Sequence, residues 1–444
     1  MKATPALSRW SDEAFLDRLR LEGDPEADRC VVPLAQSRED FSRLFEFLNS
    51  NDARVPPDAP QALHAFFATH LRVPSPDGQP VDRVRLRRAE EVFMTHACTS
   101  ALVLLAMSLP AGYAAPNLAR VLVMSGNLKN HPYRRLLGVL QMVLNVTSPG
   151  GFEAHGKALV TAAKLRLLHA GVRHLVRQRC PDYESRYRVP VNHEDMLATI
   201  MGFSLLVIRG LQRLGVGLGE HEAEDYYYLW RVYALAMGIH PRGAPDSTEY
   251  VPATLAEADE FYQAYARRHY RGVQENPEGV ELTRASLMML EHAVADSPLR
   301  LLGVSLVPRI YMQRMLGAEG LVQRGVRPVR HHAVVKWILP AALRVWTRIW
   351  ALVDRDGGRH FHERLSQAFF KGLIVRTIGG EVTFLIPERL ADLHALTDRV
   401  VRPFGERRRV ERRAQRSDID FGDRRGRPDR RLAFRQSFWG YGAR

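Results

Sequence analysis

The residue whose type and position best suit chemistry is His169, in the middle of the predicted helix Thr161–Arg177 (Thr-Ala-Ala-Lys-Leu-Arg-Leu-Leu-His-Ala-Gly-Val-Arg-His-Leu-Val-Arg). A buried imidazole without a hydrogen-bond partner costs about 1–3 kcal/mol, so His169 needs a backbone carbonyl, a buried water or a metal. Since buried polar groups are normally hydrogen-bonded, a satisfied core histidine is one interpretation and a metal ligand is the other. At helical period His169 shares an apolar stripe with four aliphatic residues, namely Ala162, Leu165, Val172 and Val176.

Two arginines flank this histidine at helical spacing. Arg166 lies three residues before His169 and Arg173 four residues after it, where a guanidinium can reach the edge of a ligand and pair bidentately with a carboxylate. The small residues Ala170 and Gly171 would let a flat ligand or a second helix approach closely. A single histidine ligand in an apolar helical core is typical of haem, whose second axial face stays open to dioxygen.

Other metal and nucleotide sites find no support in the sequence. None of the seventeen histidines has a glutamate three residues before it, which excludes the Glu-x-x-His pairs of a di-iron carboxylate bundle. The three cysteines lie far apart, so neither a disulfide framework nor a thiolate metal site is predicted. The glycines of Gly215–Gly219 lack both the Gly-x-Gly-x-x-Gly spacing and a preceding strand, and no Walker A or Gly-x-Ser-x-Gly motif occurs.

Helical periodicity recurs along almost the whole chain. The pattern predicts an all-α fold with one domain over residues 1–400, in which a single long helix covers residues 83–109 and another covers Glu194–Leu214. Residues 22–35 are predicted to turn through Gly23-Asp24-Pro25. Further helices are predicted at Leu302–Gly317, Ala333–Ala351 and Phe361–Leu373, and a small hairpin at Val375–Leu385.

The net charge of +14 is concentrated at the C-terminus. Between Arg402 and Arg444 there are fourteen arginines and six acidic residues, a surplus of eight. We therefore predict that residues 401–444 form a flexible arginine-rich tail, which binds no specific nucleic acid and makes at most weak contacts with anionic partners.

The sequence predicts a cytoplasmic protein without a transmembrane segment. The N-terminus has no apolar stretch of signal-peptide length. The longest apolar run, Ala101–Pro110, is much shorter than the roughly 20 residues that a membrane span requires.

Several segments together resemble the family of the rubber oxygenases, or latex-clearing proteins, which includes the fungal ER-bound oxygenase of mycophenolic acid biosynthesis. The resemblance extends over residues 10–240, and its most specific part is Arg-Leu-x-His-Ala-x-x-Arg around His169. The segments that carry it are Gly23-Asp-Pro-Glu-Ala-Asp28, Ser108-Leu-Pro-Ala-Gly-Tyr-Ala114, Arg134-Arg-Leu, Lys164-Leu-Arg-Leu-Leu-His-Ala-Gly-Val-Arg173, Val191-Asn-His-Glu-Asp, Phe203-Ser and Leu229-Trp-Arg-Val.

The resemblance implies a globin-like helical core that binds haem b. In that alignment His169 matches the proximal iron ligand, Arg173 the arginine one turn after it, and Arg135 an arginine on the distal side. The lysine and threonine that rubber-cleaving members carry opposite the ligand are replaced here by Gly138 and Val139.

A further departure concerns the base. The glutamate proposed as catalytic base in rubber-cleaving members falls near Ala119 in this sequence, and those members are exported. Rubber cleavage is therefore not transferred to this chain, and the sixth coordination position is expected to be vacant or filled by water.

The leading hypothesis is a haem b-dependent oxygenase that uses dioxygen on an apolar, unsaturated, isoprenoid- or lipid-like substrate. His169 would hold the iron, Arg135 would orient dioxygen, and Arg166 or Arg173 would anchor a haem propionate. Two alternatives stay open. One is a haem-binding sensor or carrier without turnover, and the other is a non-haem helical protein whose basic tail binds nucleic acid or anionic lipid.

Overall fold

The structure is a computed structural model, and every regular element that it describes is a helix. The described residues are 8–49, 54–124, 132–295, 307–329 and Ala341, and no strand occurs among them. The predicted all-α class is confirmed.

The first half of the fold contains nine helices within the described ranges. They are α1 (Glu13–Leu21), α2 (Pro25–Leu34), α3 (Arg38–Asn49), α4 (Gln61–His70), α5 (Arg83–Thr95), α6 (Ala97–Val103), α7 (Leu109–Gly112), α8 (Pro116–Met124) and α9 (Pro132–Thr147), with a π-helical segment (Leu104–Ser108) between α6 and α7 and short 3₁₀ turns at Arg9–Ser11 and Pro76–Gly78.

The second half continues with eight more helices in the described part of the chain. They are α10 (Lys157–Arg179), α11 (Tyr183–Tyr187), α12 (His193–Phe203), α13 (Leu205–Arg213), α14 (Glu220–Ala236), α15 (Leu255–His269), α16 (Pro277–Ala295) and α17 (Val307–Gln323).

Helix α10, which carries His169, is the longest described helix and packs against α2, α3, α4, α8, α9 and α14. It begins after Gly156 and ends at Cys180, before Pro181, which cannot continue a helix. The basic residues Arg177 and Arg179 occupy its last turn, where positive charge suits the helix dipole.

Helix α2 lies where the sequence predicted only a turn. Asp24 caps it by accepting a hydrogen bond from the Ala27 amide at 3.1 Å, and Pro25 follows at the first helical position. The Gly-Asp-Pro signal was interpreted as a turn, but the same residues are also a favourable helix start. The error matters because α2 supplies the charged partners of α10.

Two predicted helices are broken in the structure. The helix predicted over residues 83–109 breaks at His96, and the segments Arg83–Thr95 and Thr99–Gly112 meet at 79°. The helix predicted over Glu194–Leu214 breaks at Ser204, whose hydroxyl donates to the Ile200 carbonyl at 2.8 Å and competes with the helical hydrogen bonds.

No single described helix is long and apolar enough to cross a membrane. The bent pair Arg83–Thr95 and Thr99–Gly112 passes that test only when the two are taken together, on length and composition alone.

The core has one large cluster and two smaller ones. The large cluster includes the aromatic residues of α14 (Tyr226, Tyr227, Trp230 and Tyr233). A second cluster joins α2, α3 and α4 to one face of α10 through Ala163, Leu167 and Ala170. The predicted helices Ala333–Ala351 and Phe361–Leu373, the hairpin Val375–Leu385 and the tail 401–444 lie outside the described residues.

Glu90 on α5 is a buried acid beside the loop that follows α9. Its side chain is 6% exposed, and the Gly150 amide donates a hydrogen bond to it. Burial raises the pKa of Glu90 to about 7, outweighing this hydrogen bond, and the neighbouring Glu153 and Glu91 act in the same direction as burial.

We expect Glu90→Gln to stabilise the protein above pH 7 by about 1–3 kcal/mol. Since the folded state binds the Glu90 proton more tightly than the unfolded state, wild-type stability falls as pH rises from about 4.5 to 7. Denaturant unfolding at several pH values would measure the difference, with Glu281→Gln, at an exposed position of α16, as the control. Equal stability of wild type and Glu90→Gln at pH 8 would contradict this expectation.

Candidate functional site

The apolar stripe that contains His169 is buried at its ends and half-buried in its middle. Ala162 is 1% and Val176 is 2% exposed, whereas Leu165, His169 and Val172 are intermediate. The prediction that this stripe is buried therefore holds at its ends and is wrong for Leu165, His169 and Val172, which are only half-buried. The reason is that α10 buries a different face, formed by Ala163, Leu167 and Ala170, against α2, α3 and α4.

Half-buried aliphatic side chains also line α8, one of the helices that contact α10. Val172 of α10 belongs to the same small cluster as Val121 and Met124 of α8. Leu118 and Leu122, on the same helix, are likewise only partly buried. Apolar side chains therefore extend from the His169 stripe onto the neighbouring helix.

A buried hydrogen-bond chain fixes the register between α9 and α10. The Asn145 amide donates to the Thr161 hydroxyl at 3.1 Å, and Gln141 donates to Asn145 at 3.0 Å. All three side chains are at most 5% exposed. Residues 148–156 join two helices that pack together, so α9 and α10 form an αα-hairpin. The Asn145–Thr161 contact lies at its closed end, next to the connection.

This register places Arg135 and Gly138 near the level of His169. At 1.5 Å per residue, His169 lies about 12 Å along α10 from Thr161. Because the two helices of a hairpin run in opposite directions, the same distance on α9 is counted backwards from Asn145 and reaches Leu137. Arg135 and Gly138 lie within one turn of that position, and the side chain of Arg135 is outside the part of the chain that the structure describes.

Arg166 is buried and bound by acidic side chains of α2. Its Nε donates to Asp24 Oδ2 at 2.6 Å, and its Nη2 donates to Asp24 Oδ1 and to Glu26 Oε2, both at 3.0 Å. Its Nη1 lies 2.9 Å from Nδ1 of His70. The Arg166 side chain is 3% exposed, so this arrangement is shielded from water.

Arg173 makes a second ion pair with the same helix. Its Nε and Nη2 lie 2.8 and 2.7 Å from Asp28 Oδ1, and its remaining contacts are with the backbone carbonyls of Val191 and Asp24. Its side chain is 0% exposed. The sequence predicted that Arg166 or Arg173 anchors a haem propionate. In the structure, carboxylates of the protein itself already bind both guanidinium groups.

Two glycines leave room for these guanidinium groups. A Cβ at Gly238, where φ is +81°, would lie 3.0 Å from Arg166 Nε and 3.1 Å from Asp24 Oδ2. A Cβ at Gly23 would lie 3.3 Å from Arg173 Cδ. Larger side chains would therefore press on the ion pairs.

The electrostatics of Asp24 reflect this pairing. Burial by itself would raise the pKa of Asp24, but the charge and hydrogen bonds of Arg166, with a further hydrogen bond from Ala27, lower it to about 2. The pKa of His70 is also lowered, to about 4, by burial and by the nearby Arg166 charge, and for a histidine this shift favours the neutral form. The Asp24–Arg166 ion pair therefore persists at neutral pH, with His70 uncharged.

Sequence reasoning missed these acidic partners. Asp24, Glu26 and Asp28 occupy every second position of Gly23-Asp-Pro-Glu-Ala-Asp28. This segment carries part of the family resemblance, which implies no role for its acidic residues. The available signal was an acidic run at a favourable helix start. Nothing in the spacing indicated that this run would meet α10, more than a hundred residues away along the chain.

A second polar cluster ties α8 to α1, α12 and α15. Asp195 is 1% exposed and accepts hydrogen bonds from Asn117 at 2.5 Å and from the Tyr265 hydroxyl at 3.0 Å. Arg20 donates to Glu194 at 2.8 Å and lies 3.3 Å from Asp195. Because Asn117 is in the first turn of α8, this cluster fixes the beginning of a helix that borders His169.

The donor set around His169 suits a metal that arrives inside a cofactor. Over the described ranges, histidine, cysteine and acidic side chains do not gather in a group of three or more that could hold a bare metal ion. Haem iron needs only one protein ligand, and its porphyrin needs apolar surroundings. The single histidine of the stripe and the partly buried aliphatic residues around it meet both requirements.

Comparisons with known proteins agree with this architecture. Rubber oxygenase from Streptomyces sp. (strain K30) is 25% identical over 380 residues, which cover 77% of this chain and 88% of that protein. A solved structure of latex clearing protein LCP in the closed state superposes with a TM-score of 0.60 at 20% identity, covering 80% of this chain and 91% of that one. The latter likeness concerns the fold.

The family model described as ER-bound oxygenase mpaB/B′/rubber oxygenase, catalytic domain, matches residues 84–416. This range contains α5 to α10 and hence His169, Arg135 and both arginines of α10. The resemblance inferred from the sequence is thereby confirmed, and the chain belongs to the family of ER-bound oxygenases mpaB/B′ and rubber oxygenases.

Proposed function

We propose that this protein is a haem b-dependent oxygenase that uses dioxygen on an apolar, unsaturated substrate of isoprenoid or lipid-like character. The observation that carries the proposal is the position of His169, the one histidine of a half-buried apolar stripe within the matched catalytic domain. The relatives named as oxygenases support the reaction class, and the name rubber oxygenase supports an isoprenoid substrate.

In this proposal His169 holds the iron through one ring nitrogen, and the aliphatic residues of α8 and α10 exclude water from the face of the ring. Bound haem would supply the activation of dioxygen, which amino-acid side chains do not provide. Arg135, near the level of His169 on α9, would orient dioxygen through a charge-assisted hydrogen bond. Apolar surroundings strengthen such a bond because they lower the local dielectric constant.

Rubber itself is not the substrate that we propose. Ala119, at the position of the proposed base of rubber-cleaving relatives, is buried in the main core at 0% exposure. Gly138 and Val139 stand on α9 where those relatives carry a lysine and a threonine, so neither a protein ligand nor a general base comes from these positions. A smaller unsaturated substrate that needs no such base fits this chain better.

The same three residues favour one alternative, a haem sensor or carrier without turnover. Ala119, Gly138 and Val139 offer no group that could donate or accept a proton. Haem binding without consumption of dioxygen, in the presence of a panel of unsaturated isoprenoids and fatty acids, would select this alternative over the oxygenase.

We expect purified protein, expressed with ample haem supply, to show a Soret band with near-stoichiometric iron that His169→Ala removes. His169→Gly should lose the band and regain it with added imidazole, because the small ligand can replace the missing ring. His174→Ala is the matched control, since His174 is on the same helix and its Nε2 contacts Gln178 at 2.9 Å. A colourless wild type after haem reconstitution would refute the proposal.

We expect Arg135→Leu to lower substrate-dependent dioxygen consumption by about 100-fold while haem content stays unchanged, which is the scale for loss of one charge-stabilising donor. Arg134→Leu is the control, because adjacent residues of a helix face different directions. An oxygen electrode and the Soret absorbance measure the two quantities. Equal losses of activity in both variants would exclude a specific role for Arg135.

A further inference from the structure

We infer that Asp24 and Asp28 of α2 are positioning residues for His169. The inference rests on the proposed function, because it concerns how the protein aims the imidazole at the iron. Neither aspartate needs to touch the cofactor. Each acts through an arginine that brackets His169 on α10.

The two arginines attach α10 to α2 on both sides of the histidine. Arg166 is three residues before His169 and Arg173 is four residues after it, so together they span two helical turns centred near the ligand. Asp24 holds Arg166 by two hydrogen bonds of 2.6 and 3.0 Å, and Asp28 holds Arg173 at 2.7 Å. Both aspartates belong to the start of α2, so one rigid element restrains both turns.

Burial makes these restraints stiff. The side chains of Arg166, Arg173 and Asp24 are 3%, 0% and 4% exposed, whereas Asp28 is 24% exposed, so the Asp24–Arg166 pair is the better shielded of the two. In a site shielded from water an ion pair cannot exchange its partner for solvent without leaving a buried charge uncompensated. The planar guanidinium also fixes direction as well as distance, which a lysine would not do.

A small rotation of α10 would be enough to misdirect the ligand. The imidazole nitrogens lie several ångströms beyond the Cα radius of about 2.3 Å, so a helix rotation of about 10° displaces them by about 1 Å. Functional groups must be held within about 0.5 Å of their productive geometry. The apolar contacts of α10 are less directional than the ion pairs. Contacts made by alanine and leucine side chains therefore permit such a rotation more readily than paired charges do.

The alternative is that the ion pairs only attach the N-terminal helices to the rest of the fold. The two roles differ in what a variant changes. A purely structural pair alters the free energy of unfolding, whereas a positioning pair also alters the ligand field of the iron and the rate at which haem dissociates.

The test compares holoproteins of Asp24→Asn, Asp28→Asn and Asp28→Glu with the wild type. Asparagine is as good a helix cap as aspartate, so Asp24→Asn removes the charge and preserves the start of α2. We expect Asp24→Asn and Asp28→Asn to shift the Soret maximum by several nanometres and to raise the rate of haem transfer to an excess of apoglobin at least tenfold. Asp28→Glu, which keeps the charge, should recover most of the wild-type rate.

Asp225→Asn is the matched control. Asp225 is also buried, at 4% exposure, and its two oxygens bind Arg85 and Arg88 at 2.6 and 2.5 Å, so its ion pairs join α14 to α5 rather than α2 to α10. We expect this variant to lose stability without any change in the Soret maximum or in haem dissociation. Circular dichroism and denaturant unfolding verify that every variant is folded. Arg173→Lys, which retains the charge but not the planar geometry, replaces any aspartate variant that is unfolded and should show the same shift.

The outcomes separate the two proposals. A coloured wild type whose Asp24→Asn and Asp28→Asn variants lose only stability, as Asp225→Asn does, overturns the positioning role and leaves haem binding intact. A wild type that takes up no haem overturns the proposed function, and the positioning role with it.

Discussion

The structure depends on the charge pairing between α2 and α10. Arg166 and Arg173 of α10 are almost completely buried, and each would be strongly unfavourable there without the carboxylates of Asp24 and Asp28. Burial raises the pKa of Asp24, and the charge and hydrogen bonds of Arg166, with the Ala27 amide, lower it below its ordinary value. This pairing determines which face of α10 lies against α2, α3 and α4, and it leaves the His169 face on another side. The location of the candidate site therefore follows from where the charges are satisfied.

A second buried polar cluster, centred on Asp195, also fixes the positions of several helices. Asp195 binds Asn117 and Tyr265, so the beginnings of α8 and α12 are held together with α15. The Asn145–Thr161 contact fixes α9 against α10 in the same way. Apolar packing alone tolerates sliding and rotation, whereas buried polar groups must meet particular partners. Helices α8 and α9, which both contact α10, are consequently each fixed by a directional contact, while Val172 of α10 belongs to an apolar cluster with Val121 and Met124 of α8.

This division between polar restraint and apolar lining agrees with the chemistry of the family. Oxygenases that act on hydrocarbon substrates need a site that excludes water and admits an apolar chain, and a cofactor that performs the oxidation. Ala119, which is buried in the main core, and Gly138 and Val139 of α9 have side chains that cannot exchange protons. The family model matches residues 84–416, so membership of the family depends on the helical framework as a whole and not on these three positions.

The sequence by itself determined the helical class, the position of α10 and the choice of His169 as the candidate ligand, because helical periodicity and short motifs are local properties. It also identified the family from segments that lie around these same residues. It did not predict α2, whose Asp-Pro start resembles a turn, nor the breaks at His96 and Ser204, the second of which accompanies a hydrogen bond from the Ser204 hydroxyl to the Ile200 carbonyl. It also could not assign partners to Arg166 and Arg173. Only the tertiary structure decided that, because the carboxylates that bind them lie more than a hundred residues away, and a charge carries no local signal of the opposite charge it will meet.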